Sequence, residues 1–244
     1  MERLRPVRLV LPAVLFVAAA IATPDQSTPE FDQTRWELIK RASVRFVPDA
    51  SACEVLLLKS RKATGSSGAG EPLYDVDLLL QQGGKALYEY AERRTKDDTP
   101  FYMDDYLDIR DVTGDRVPAV LFHSGTQGAS DFVINEHILR YDHSTESVKD
   151  IALDIFYQSG THGLRWLTLR DRTLVVIADR NWPASTPIQE RCHYCASPFQ
   201  YDLYAWSSEQ RAFLVRGRIY SDQSYEYASQ ALTGEWDLIQ QSQH

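Results

Sequence analysis

Three times in this chain a polar turn runs into an apolar, largely β-branched stretch. The three are FVPDASACEVLLL ending at Leu58, DIRDVTGDRVPAVLF ending at Phe122, and LTLRDRTLVVIADR ending at Arg180. Each is followed by a loop and a second pair of extended stretches: YDVDLLLQQGGKALYEY, EHILRYDHSTESVKDI and FQYDLYAWSSEQRAFLVRG. Setting Val55, Val120 and Val175 as equivalent gives steps of 65 and 55 residues. A unit of this length with about four strands is the sequence form of a propeller blade. An antiparallel β protein without true repetition produces similar hairpins, so both readings lead to an all-β chain.

Other segments agree. Val133 to Tyr141 is extended in character, and Trp166 to Leu169 and Leu174 to Ala178 are short β-type runs parted by a charged turn. Phe199 to Trp206 and Phe213 to Tyr220 alternate apolar and polar residues, as half-buried strands do. Lys85 to Lys96 suits a strand and a short helix equally, and no segment carries a long helical stripe. Ala63 to Pro72 (ATGSSGAGEP) has the composition of a flexible loop. Trp36-Glu-Leu-Ile39 and Trp236-Asp-Leu-Ile239 are similar terminal segments, expected to pair with exposed sheet edges.

With the Asp-rich turn Asp111-Val-Thr-Gly-Asp115 before the second apolar run, the three units resemble blades of the integrin-α-like FG-GAP/VCBS family of exported bacterial proteins. The resemblance covers most of Val44 to Ser221. The family's turn reads D-x-D-x-D-G-x-x-[DE]. Here Arg116 stands at the glycine and Ala119 at the last acidic position, the other two units lack the loop, and the FG-GAP tetrapeptide is absent. The resemblance implies antiparallel sheets in about three propeller-like blade repeats, a partial or irregular β-propeller. It also implies recognition of a protein or glycan, sometimes with calcium. Asp111, Thr113 and Asp115 are the calcium candidates, offering oxygens at alternate positions. The competing reading is an Asx-type turn in which Asp111 binds its own backbone.

The N-terminus reads as an export signal. Arg3, Arg5 and Arg8 precede an apolar run from Leu9 to Ala22 that ends in Ala20-Ile21-Ala22, a small-residue cleavage pattern. At this length the run is too short for an ordinary spanning helix. The expected organisation is a signal peptide over 1–22 and a single β domain over 23–244, exported to a periplasmic or extracellular space, with no membrane insertion once the signal is removed. The net charge of −8 disfavours nucleic acid as a partner.

Export places Cys53, Cys192 and Cys195 in an oxidising compartment. Cys192-His-Tyr-Cys195 is followed at once by Pro198 and a strand, which is not the setting of a thioredoxin-type redox helix, and no second Cys-x-x-Cys completes a zinc site. A Cys192–Cys195 disulfide with Cys53 free is therefore expected; a bridge from Cys53 to either partner is the alternative.

For catalysis, His123-Ser124-Gly125 and Thr161-His162-Gly163 read as polar loops, and Asp131 or Asp142 completes a triad on paper. There is no G-x-S-x-G elbow and no H-E-x-x-H motif. The aromatics Tyr201, Tyr204, Trp206 and Phe213 suit a carbohydrate- or protein-binding face, or a sheet core. The expected function is a non-catalytic binding or interaction module, with a secreted hydrolase bearing an unrecognised site as the alternative.

Overall fold

The apolar runs that recur in the sequence become the second strands of three separate antiparallel sheets. The computed structural model describes residues 31–47, 50–93, 100–127, 132–170, 172–182, 192 and 195–243. The expected signal peptide, 1–22, lies outside them. Phe31–His244 form one unit.

Sheet I begins with β1 (Trp36–Val44) and β2 (Cys53–Ser60). A small ribbon of β3 (Gly65–Ser66) and β4 (Pro72–Leu73) follows, then β5 (Val76–Gln82), β6 (Lys85–Glu89) and one helical turn, α1 (Tyr90–Arg93). The stretch that suited strand and helix equally is thus strand first and helix second. The glycine-rich loop is ordered by its own ribbon, and the Ser67 hydroxyl accepts the N–H groups of Ala69 and Glu71.

Sheet II holds β7 (Leu107–Arg110), β8 (Ala119–Gln127), β9 (Phe132–Asp142) and β10 (Ser147–Asp150), with β11 (Tyr157–Gln158) also pairing β9. Sheet III holds β12 (His162–Thr168), β13 (Thr173–Arg180), β14 (Ser197–Ser207) and β15 (Ala212–Tyr225). In each sheet the four main strands lie side by side in chain order. Val55, Val120 and Val175 are fully buried in β2, β8 and β13, the second strand of each sheet.

Alternation of side chains explains how the sheets layer. Val55, Leu57, Leu78 and Leu80 of sheet I pack with Val120, Phe122 and Leu139 of sheet II. The opposite face of sheet II, Leu121 and Ile138, packs with Val175, Ile177 and Phe213 of sheet III. The other face of sheet III, Leu174, Val176, Phe199 and Tyr201, is covered by two short helices, α2 (Ala228–Gly234) and α3 (Trp236–Gln241). A strand buried on both faces reads as a continuous apolar run, which is why VLLL, AVLF and LVVI are unbroken.

One expectation changes here, and one open pair of readings is decided. Trp36–Ile39 does form an edge strand, but Trp236–Ile239 is helix α3. Its Ile239 is buried with Ala228, Ala231 and Leu232 against sheet III. The aromatic cluster also resolves into core: Tyr201 is buried with its hydroxyl donating to the Ala231 carbonyl at 3.2 Å, and Phe213 is buried between sheets II and III with Tyr204 and Trp206 packed against it.

Candidate functional site

The polar side chains that converge most closely lie on the β8–β9 pair. The register sets Phe122 opposite His137, His123 opposite Glu136 and Ser124 opposite Asn135. Because side chains alternate along a strand, His123 and Glu136 face sheet III, whereas Ser124 and His137 face sheet I. Two hydrogen-bonded networks therefore sit back to back at one end of sheet II.

On the sheet III side, His123 is held at both ring nitrogens. Nδ1 donates to Asp104 at 2.9 Å and Nε2 donates to Glu136 at 2.8 Å. Tyr106 stacks on the imidazole at 4.1 Å, and Trp166 Nε1 on β12 donates to the other oxygen of Glu136 at 3.3 Å. Burial alone would lower the pKa of His123, but its bonds to two carboxylates outweigh this and push it up to about 9. Asp104 is likewise opposed by burial, yet the facing imidazolium holds its carboxyl below the ordinary value. Asp104 reaches this place on a strap. Phe101 exchanges two backbone hydrogen bonds with Gly125 of β8, at 2.9 and 2.7 Å, while the Tyr102 N–H donates to the Tyr74 carbonyl beside β5. The strap lies so near β8 that a Cβ on Gly125 would come within 2.3 Å of the Met103 side chain.

On the sheet I side, three side chains form a relay. Ser124 Oγ donates to His137 Nε2 at 2.8 Å, and His137 Nδ1 donates to Asp150 Oδ2 at 2.7 Å. The N–H groups of Ile138 and Ala152 fix the second Asp150 oxygen, each at 3.0 Å. Burial opposes ionisation of Asp150, but the His137 bond and these N–H groups prevail and hold its pKa below the ordinary value. The Tyr90 hydroxyl donates to Ser124 Oγ at 3.3 Å, and the His137 ring stacks on Phe122 at 4.5 Å. The order of atoms matches a serine–histidine–carboxylate triad. The nucleophile, however, has no exposed surface: Ser124 is 0% exposed. A cleft of about 320 Å³ opens alongside, lined by Tyr90, Asn135, His137, Asp150 and Phe156 among others, and Ser124 does not line it.

The residues named from sequence for catalysis lie in strands and not in loops, His123 and Ser124 in β8 and His162 in β12, and His123 and Ser124, though adjacent, belong to different networks. Asp131 lies outside the described residues. Asp142 accepts from Ser144, from Lys149 at 2.7 Å and from Arg211, tying the β9–β10 turn to the β14–β15 turn rather than to an imidazole. His162 bonds the Ile155 carbonyl and stacks on Tyr157. The partners that sequence reasoning missed are Asp104, Glu136, His137 and Asp150. A period-two register between β8 and β9 was the available signal for Glu136 and His137. Asp104 and Asp150 carry none, because loop paths bring them in.

The calcium candidates are brought together. Asp111 Oδ1 accepts the N–H groups of Thr113 and Gly114, at 2.9 and 2.7 Å, and Oδ2 accepts that of Arg116 at 2.7 Å. Asp115 accepts from Thr113 Oγ1 at 2.7 Å and pairs with Arg140. These oxygens are occupied by donors of the loop and by a guanidinium, so as arranged they close the turn. Among the described residues no group of three or more His, Cys, Asp or Glu is placed to hold a metal ion. Arg116, where a glycine was expected, adopts a left-handed backbone with φ 67°.

No protein-family model and no curated protein matches this chain. Among solved structures it is similar to the crystal structure of CarG, with 9% identity over 55% of this chain and 94% of that one, at a TM-score of 0.41. That level of likeness carries no argument about fold or function.

At the far end of sheet III, Cys192 and Cys195 form a disulfide and Cys53 is a buried free thiol. Burial pushes the Cys53 thiol up from its ordinary value. Arg180, the last residue of β13, is only 4% exposed. Its Nη1 donates to the carbonyls of Cys192 and Cys195, at 2.8 and 2.7 Å, and its Nη2 donates to the Glu226 carbonyl just before α2.

Proposed function

We propose that the protein is exported and works as a non-catalytic binding or interaction module on a framework of propeller-like blades, recognising a protein or glycan in the periplasm or outside the cell. The observation that carries this reading is the sealed serine. A catalytic nucleophile must meet its substrate within bonding reach, and Ser124 has no surface to offer. The three residues serve instead as a polar tie across β8, β9 and β10 within sheet II, enclosed at its serine end, where the Tyr90 hydroxyl of α1 joins it. The N-terminal basic and apolar segment supports export, and the Cys192–Cys195 bridge is compatible with an oxidising compartment. Three sheets, each with four main strands in chain order and packed face to face, support the blade reading.

One observation favours the secreted-hydrolase alternative: the Ser124–His137–Asp150 order with short bonds at both steps. A fluorophosphonate probe separates the two. Intact-mass analysis of the native protein should find no adduct. A stoichiometric adduct that vanishes in Ser124→Ala would replace the binding reading with a hydrolase. Binding itself is tested by screening the immobilised mature protein against a glycan array and, by photo-crosslinking, against envelope proteins. Export is tested by the N-terminal sequence of the protein recovered outside the cytoplasm, expected to begin at Thr23.

A further inference from the structure

We propose that Cys192–Cys195 is a thiol–disulfide exchange site whose state is transmitted to helix α2 through Arg180. Cys195 is exposed and Cys192 half-buried, so a small dithiol or the dithiol of an oxidoreductase can reach the bridge. Buried Cys53 is chemically separate: it sits in the core between sheets I and II, with its thiolate disfavoured by burial.

The transmitting half rests on Arg180. A guanidinium so deeply buried must have its N–H groups satisfied. Nη1 and Nη2 bond three backbone carbonyls, and two of these belong to the bridged cysteines themselves. Nε has no partner among the described residues, so the carbonyls are the polar contacts that hold this cation. A bridge between residues three apart closes a very short loop, and constrains little unfolded chain. Its structural effect is instead to keep the Cys192 and Cys195 carbonyls turned toward one donor. The third carbonyl, Glu226, immediately precedes Tyr227 at the N-terminus of α2. That helix covers sheet III through Ala228, Ala231 and Leu232. Arg180 also lies over Trp182 and Phe199, at 5.6 and 5.7 Å from the ring centres, so it cannot leave without disturbing the β13–β14 end.

The exchange balances as follows. A thiolate of the external dithiol attacks Cys195 Sγ, the S–S bond breaks, and Cys192 leaves as a thiolate that takes up a proton. The second thiol of the reagent then resolves the mixed disulfide, so Cys195 is released as a thiol and the reagent becomes a disulfide. Two electrons pass to the protein, and Arg180 is left facing carbonyls no longer held together.

Hydrogen exchange on the full mature protein tests the proposal, with dithiothreitol as the dithiol and no denaturant. Differential alkylation should find Cys192 and Cys195 reduced and Cys53 unlabelled. Amides of residues 226–235 should then exchange faster by about tenfold, the size expected when a local unit loosens, while those of β2 stay unchanged. Failure of native-state reduction overturns the access half. Full reduction with unchanged exchange at 226–235 overturns the role of Arg180. Arg180→Met adds a further arm: if it folds, α2 should exchange fast in the oxidised form and respond no further to reduction. None of these outcomes depends on whether the protein is a binding module.

Discussion

Ser124 and His137 share a 2.8 Å hydrogen bond across the β8–β9 pair, and the serine end of it is fully enclosed. This bond ties β8 to β9 within sheet II, and the Tyr90 hydroxyl of α1, which follows the last strand of sheet I, donates to the same Ser124 Oγ. Ser124→Ala removes both the donor to His137 and the acceptor of the Tyr90 hydroxyl. The expected cost is about 1–3 kcal/mol, because buried polar groups lose partners, and urea unfolding measures it. A variant as stable as the parent would refute the structural role.

His123 predicts a distinct pH dependence. Its folded pKa is raised to about 9, above the ordinary 6.5. The folded state therefore binds the proton more tightly, and the stabilisation is complete below about pH 6.5 and lost as pH rises through 9. Asp104 and Asp150 act in the opposite sense. Their pKa values are depressed, so their contribution is present above 3.8 and lost as pH falls below it. Chemical denaturation from pH 3 to 10 should show a decline on both sides, and His123→Gln should flatten the alkaline one.

Gly125 tests the strap. In Gly125→Ala the new methyl would lie 2.3 Å from Met103 Cγ and 2.5 Å from Phe101 Cε2. Phe101 is buried and bonded to β8 on both backbone groups, so it has little room to yield. A loss of about 1–3 kcal/mol is expected, as for overpacked cores, with faster amide exchange at 101–106. Unchanged exchange there would show that the strap is not held by this approach.

Asp111 organises the loop before β8 by accepting three backbone N–H groups. Asp111→Ala should cost about 2–3 kcal/mol, since hydrogen bonds to a charged acceptor are the stronger kind. The melting temperature of the parent in EDTA and in several millimolar calcium gives the complementary measurement. Equal values fit a turn closed by its own donors, and a rise with calcium would place an ion at Asp111, Thr113 and Asp115.

Much of the architecture was legible because burial leaves a simple trace. Val55, Val120 and Val175 sit in runs that are apolar without interruption, and only strands covered on both faces need that. What stayed hidden has equally physical reasons. Trp36-Glu-Leu-Ile39 and Trp236-Asp-Leu-Ile239 are near-identical words, yet one is strand and the other helix. Four residues cannot distinguish a period of 2 from one of 3.6, so neighbours decide. Helices α2 and α3 span seven and six residues, too few for a periodic stripe to stand out. The Cys192–Cys195 bridge was readable from compartment and spacing, whereas Arg180 beneath it looked like any strand-end cation. His123 and Ser124 were visible as residue types, but alternation sends them to opposite faces, so their adjacency in sequence implied a partnership that the fold does not make.

The cover that α2 and α3 lay over sheet III has a consequence for how such a chain can grow. With Ala228, Ala231, Leu232 and Ile239 seated on the last sheet, that face has no vacancy for another layer. A further sheet stacked on that face would first have to displace α2 and α3.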